Sequence, residues 1–556
     1  MKRECLRLIA CAKSGDSQAR RALAEHYLFG SGGFPRHLQM GVDYLRHSDL
    51  RDTREANLLV ARSLSLSELV EMDCLPRLEA AARLSDFKSL LKLAIWRSLT
   101  GASVEDVASL LRQAARDGQE EAREALSAWL GTSEGDHSRR LFCLPMATAL
   151  LGDGSKVVLH AAKRAMATND LPLALRALAC AAARFGLADR ERASALCEVL
   201  VEARHSDADL TRGLDVLHIQ HALELLSSEG NGKAAHILGR AFCQISWGRL
   251  PPEATVGEFN LRKGTGLLFR AADKGQAEAW LDLHRVHLNH RSSVANPSVA
   301  SFCLEKAAEH GHRLAQRRMG VLALREAADV RGFERGIDML HRASAQGDEV
   351  SNKLLRTLAT PVETDPLVAE HALRVLARKS PWLAVRLRVA RHFGLTRHEA
   401  LSFCPLSGMR PWGLVVDRNP FLAQSNVSGP RAVPAISEAA RSSLNEAVSL
   451  FASVGESGNS SDEALLRQRS LEMRRVLRGY GFEKSLFLAT LNSSDSRVLK
   501  SGAKWAYRYR ALITLALAWD EAPMTDGATE RDDESGVGGA PAATMSPGAT
   551  RSGRSS

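Results

Sequence analysis

The 556-residue chain is 45% hydrophobic and 25% charged, but only 5% aromatic. That is a soluble composition, and its wealth of Ala and Leu excludes a strand-dominated core in favour of closely packed helices. The net charge of +10 is uneven, with +11 over residues 376–510 and −4 over 520–556, so an anionic partner is expected only in the C-terminal third. No run of about 18 apolar residues is present, so no membrane-spanning helix is expected. The nine cysteines include no C-x-x-C pair, which reads as buried thiols in a reducing, cytoplasmic compartment.

The chain opens with MKRECLRLIACAKSG. Its LIAC looks like a lipoprotein cleavage box. Arg7, however, interrupts an apolar core already shorter than the about 7–15 residues an export segment needs. Ala12 and Gly15 belong instead to the segment that follows, AKSGDSQARRALAEHYLFGSGG over 12–33, in which Ala19 continues the pattern. GVDYLRHS at 41–48 reads as its second helix. Residues 50–105 and 132–175 are helical in pattern but irregular. Between them, AARDGQEEAREAL at 114–126 carries Ala115, Gly118 and Ala122, and looser copies follow at 182–194 and 230–242.

The spacing is strictest between LLFRAADKGQ (267–276), CLEKAAEHGH (303–312) and MLHRASAQGD (339–348). Gly275, Gly311 and Gly347 are 36 residues apart, as are Ala272, Ala308 and Ser344, and Ala279, Ala315 and Ser351. A fixed period of this size predicts stacked helix pairs. Each glycine predicts a left-handed corner that closes one helix, and each small residue predicts a place where neighbouring helices approach.

The order A-x-x-G-x-x-x-A, then Y-x-x-G-x-G, then a helix ending A-A-x-x-G resembles the Sel-one-like repeat family of tetratricopeptide-like arrays. The match is specific at 8–48 and 264–355 and partial at 106–131, 175–200 and 228–275, and most copies lack the second glycine pair. The resemblance implies an all-α solenoid of antiparallel helix pairs over 1–358, acting as an adaptor for protein complexes. An irregular helical bundle is the alternative. Stacked pairs expose a long concave surface, on which partner segments are expected to bind.

The pattern fades near 358, and TPVETDP (360–366) marks a boundary. A basic helical domain is expected over 367–519, with a long Pro/Gly loop at 404–434 that holds a short strand at WGLVVD, and a disordered tail over 520–556. VARHFGLTRHEAL (389–401) has two readings: another helix pair around a glycine turn, or a helix-turn-helix in which Arg397 and His398 begin a recognition helix. Arg474, Arg475 and Arg478 cluster on one predicted helix, and Arg508 and Arg510 alternate with Trp505, Tyr507 and Tyr509. With Arg391, these residues are the candidate contacts of a nucleic-acid-binding alternative. The other account of 500–512 is an amphipathic helix with Trp505 and Leu512 inward.

Reactive constellations are weak. No phosphate-binding loop, dinucleotide fingerprint, zinc-protease motif or nucleophile elbow is present. His284, His287 and His290 form H-x-x-H-x-x-H, but the third imidazole swings off the face of the first on a helix, and a polar helix end is the simpler account. Cys404 with His398 is a weak nucleophile–base candidate. No catalytic residue, cofactor or metal is therefore expected. The leading reading is a non-enzymatic scaffold for a protein partner, and the alternative is a nucleic-acid-associated protein acting through 376–510.

Overall fold

The computed structural model describes residues 3–116, 119–131, 137–205, 214–416, 430–454, 463–489 and 502–519. Within them the chain is an α-solenoid with one small sheet. Gly118 and the tail expected at 520–556 lie outside the described residues.

The corners show why the period exists. After the helix Leu261–Asp273, the Gly275 amide donates to the Ala272 carbonyl at 2.9 Å and the Gln276 amide to the Ala271 carbonyl at 3.1 Å. The same two bonds recur at Gly311 (to Ala308, with His312 to Ala307) and at Gly347 (to Ser344, with Asp348 to Ala343). They recur again at Gly15 and Gly230. This paired closure satisfies the last carbonyls of a helix and requires a left-handed residue between them. Gly275, Gly311 and Gly347 hold φ of +87°, +82° and +85°, so the corners are equivalent. Each next helix starts at once, as in Ala277–Leu288, Arg313–Glu326 and Glu349–Leu358, and reverses the chain.

The helices then pack on their chain neighbours. Gly232–Phe242 lies on Leu261–Asp273, Ala277–Leu288 on Pro297–Glu309, and Arg313–Glu326 on Val330–Ala345. Ala272, Ala279, Ala308 and Ala315 are buried in the main core, as are Ala122 there and Ala12 and Ala19 in the N-terminal one, while Ala115 is partly buried. Closest approach falls at glycines. A Cβ on Gly320 would sit 2.9 Å from the Gly336 carbonyl oxygen, and a Cβ on Gly264 would sit 3.0 Å from that of Gly239. Leu324 and Leu340, fully buried, flank the Gly320–Gly336 crossing, each contributing about 1.5–3 kcal/mol by burial.

The irregular region 50–105 joins the same core through Phe87–Leu99, a helix buried on nearly every side. Its Lys92 donates to the carbonyls of Ala61 and Leu64 at 2.7 and 2.6 Å, at the end of the helix Arg54–Ser63. Burial pushes this amine down to about 8.

Part of the stretch expected as a loop at 404–434 is a three-stranded antiparallel sheet: β1 (Met409–Arg410), β2 (Gly413–Val416) and β3 (Arg431–Pro434), in that order. Residues 417–429 lie outside the described residues. Alternation along β2 explains its unbroken apolar run: Leu414 and Val416 enter the core of 369–488, whereas Val415 enters a core shared with 321–358 and 505–516. A sheet buried on both faces has no polar positions to reveal its period.

Gly311→Ala should cost about 1–2 kcal/mol, because a side chain there meets open space and only the left-handed backbone opposes it. Gly394→Ala, whose Cβ would land on the Thr360 carbonyl oxygen, should cost roughly 3 kcal/mol or more. Thermal unfolding of the two variants checks the order.

Candidate interaction site

The helices that follow each corner glycine carry charge where an apolar face would be expected. Asp282, on Ala277–Leu288, is almost wholly buried. Its Oδ2 lies 2.8 Å from His236 Nε2 and accepts from Arg240 Nη1 at 3.3 Å, both on the preceding repeat, and its Oδ1 accepts from Arg285 at 3.4 Å. Burial alone would raise this carboxyl, but Arg240, His236 and Arg285 together hold it well below the usual carboxylate range. The His236 ring meets Trp247 edge-on at 5.3 Å, and Trp247 donates to the Leu200 carbonyl at 2.7 Å. The His236 side of the Gly232–Phe242 helix is thus covered by the chain's own loop.

One repeat further on, Arg317 is 1% exposed. Its Nη1 donates to Asp348 at 3.0 Å, and Asp348 also caps its helix by accepting from the Ser351 amide at 2.8 Å. The remaining edges of the guanidinium read the end of the helix Arg510–Leu517: Nε donates to the Ala516 carbonyl at 2.9 Å and Nη2 to that of Ala518 at 2.8 Å. Arg318 Nη1 reaches the Leu517 carbonyl at 3.4 Å. These carbonyls belong to the last turn and the residue beyond it, where a helix has no internal donors left. Trp519 follows, its ring 4.4 Å from the Arg285 guanidinium and 4.3 Å from that of Arg318. Two successive repeats therefore grip a helix end and the aromatic residue after it.

A substitution in the repeat helps to shape this place. Nine residues after the corner, two copies have glycines (Gly239 and Gly320) at helix crossings, but the copy between them has His284. The crossing partner, 36 residues from both Gly264 and Gly336, is Ala300, and His284 Nδ1 lies 2.7 Å from its carbonyl. The imidazole also meets the Trp519 ring, at 5.9 Å between centroids. Burial pushes this histidine down to about 4, against the Ala300 hydrogen bond and with help from Arg318 and Arg285. His287 lies 2.7 Å from the Val294 carbonyl, and His290 is exposed. In the sequence His284 stands out only as the first member of H-x-x-H-x-x-H, and Arg285, Arg317, Arg318 and Trp519 do not stand out at all. The legible signal was the histidine at a position that is glycine in the flanking copies.

The candidate nucleic-acid contacts differ in their surroundings. Arg391 is committed to the fold, donating to the carbonyls of Leu486 and Thr364 at 3.0 and 2.7 Å. Arg397 and His398 sit on the six-residue helix Arg397–Ser402, too short for a recognition helix. In that helix Glu399 is buried against Arg431 at 2.9 Å. With Arg474, Arg397 and His398 line a cleft of about 370 Å³ on one side of the helix Glu463–Tyr480. Arg475 lines an adjoining cleft of about 1410 Å³ with Lys379 and Tyr480, Arg467 and Leu471 border both clefts, and Arg478 is exposed. Arg508 and Arg510 belong to the C-terminal segment, next to the buried Trp505 and the 84% exposed Tyr507. Arg508 leans over the Tyr509 ring at 5.7 Å.

No family model and no curated protein matches the chain. Two solved structures are similar to it. One is a protective antigen of uropathogenic Escherichia coli strains displaying an SLR fold, 13% identical, with 90% of this chain and 97% of that one covered at a TM-score of 0.29. The other is a Sel1 repeat protein from Oxalobacter formigenes, 18% identical, with 60% and 93% covered at a TM-score of 0.27. At these scores the likeness adds nothing to the geometry above.

Two outcomes follow from the buried charges. Asp282→Ala leaves Arg240 and Arg285 without this carboxylate and should destabilise the chain by roughly 3–5 kcal/mol in urea unfolding. His284 binds a proton in the unfolded chain near pH 6.5 but in the folded one only near 4. Its contribution is therefore complete above pH 6.5 and lost as pH falls toward 4, by up to about 3 kcal/mol. Urea midpoints of His284→Gln, which keeps a donor for Ala300, should vary less across that window.

Proposed function

We propose that the protein is a non-enzymatic scaffold that binds polypeptide segments of its partners through the repeat array, and that the array is Sel-one-like. The observation that carries this reading is the hold of Arg285, Arg317 and Arg318 on the end of the Arg510–Leu517 helix and on Trp519. Backbone carbonyls and an aromatic face are what any protein segment offers, and rigid arginines on consecutive repeats are suited to both. The corner turns support the family assignment, because the same pair of backbone bonds closes each unit. The nine cysteines, all free thiols, support a reducing, cytoplasmic setting. Among the described residues no helix is long and apolar enough to cross a membrane.

Affinity capture on the full-length chain, repeated after nuclease digestion, tests the scaffold reading. A defined set of proteins should be retained unchanged by nuclease. Loss of that set on digestion would overturn it in favour of association through nucleic acid and the basic region 376–510.

A further inference from the structure

The site on the last repeats holds a segment of this same chain, and three features mark that segment as an exchangeable occupant. Beyond the apolar packing of Ile513, Ala516, Leu512 and Leu517, its contacts are generic: three backbone carbonyls and one indole ring, read by arginines that stand on other helices. It is seated shallowly. Within 510–519 only Ile513 and Ala516 are buried, while Leu515 is 49% exposed and Ala511, Thr514 and Ala518 face solvent. The preceding helix has its own anchor, Trp505, fully buried between the array and the sheet, so residues 510–519 can leave without drawing Gly502–Arg508 after them. The receptor is also built without the occupant. Arg317 keeps Asp348 and Arg285 keeps Asp282, both on the array itself.

We propose that Arg285, Arg317 and Arg318 form a recognition site for one kind of partner: a short helix whose free C-terminal carbonyls are followed closely by a tryptophan. Residues 510–519 are its resident occupant, and a partner segment of the same chemistry takes their place. This deepens the scaffold reading and rests on it. The carbonyls set the register, because only a helix that stops there leaves them unbonded. The tryptophan sets the specificity, because an indole face attracts two flanking guanidinium groups more strongly than any other aromatic ring does.

The probe is a fluorescein-labelled, amidated peptide of residues 509–519, titrated into the full-length chain and followed by anisotropy. Full-length Trp519→Ala, whose resident segment has lost its anchor, should bind the peptide at least about tenfold more tightly than wild type. Adding Arg318→Glu should abolish that binding, as should placing alanine at the tryptophan of the peptide. Equal affinity for wild type and Trp519→Ala, or binding indifferent to Arg318→Glu, overturns the proposal. Should Trp519→Ala fail to fold, wild type decides: excess peptide should raise hydrogen exchange at 511–519 and leave 277–288 and 369–393 unchanged. Exchange unaltered at 511–519 overturns it equally. Failure here with nuclease-resistant partners retained removes this site and leaves the scaffold. Loss of the partners on digestion removes the scaffold itself.

Discussion

A helix closed by a left-handed glycine can reverse within two residues, and the regular part of this array, from Gly230 to Gly347, is built on that turn. The corner leaves the next helix antiparallel to the last and offset sideways, so neither can bury both of its faces within one pair. Repetition supplies the missing surfaces. Gly275, Gly311 and Gly347 carry φ values within a few degrees of one another, so the helices after them present equivalent positions in register. Small residues and glycine crossings then bring neighbouring backbones close enough to share one core.

Register gives a side chain on one helix a predictable neighbour on the next, and the array uses this for charge. Asp282 reaches back to His236 and Arg240, and Arg317 reaches forward to Asp348. An ion placed this deep costs several kcal/mol in lost hydration unless its partners are fixed in place. Here rigid helices fix them. The same rigidity prepares Arg285 and Arg317 as a receptor, since Asp282 and Asp348 order them before a segment arrives. His284 adds shape: an imidazole occupies a crossing where its neighbours have glycine, and it also meets the tryptophan.

The C-terminal third shows how a repeat array ends. The last pair would leave an apolar face open, and the sheet with the helices Gly502–Arg508 and Arg510–Leu517 covers it. Val415 points to that side and Leu414 and Val416 to the other, so the sheet divides two cores and belongs to both. The excess of arginine in this region has more than one role. Part of it serves the fold, with Arg391 holding carbonyls and Arg431 holding Glu399, and part of it lines two adjoining clefts along the helix Glu463–Tyr480.

Read alone, the sequence determined what is local and periodic. A glycine every 36 residues, with alanines at constant offsets, specifies helix ends, corners and stacking, because each depends on bonds made within a few residues. The inward Trp505 and outward Tyr507 were legible for the same reason, from position on one helix. Only the tertiary structure decided what meets across distance. Arg317 and Ala516 are 199 residues apart, and no pattern along the chain records such a meeting. The short strand at WGLVVD was legible from its apolar run, but its partners β1 and β3 were not, since pairing joins segments that no period along the chain connects. The site stayed hidden too, because an arginine on a helix looks like a solvated charge until the fold closes over it.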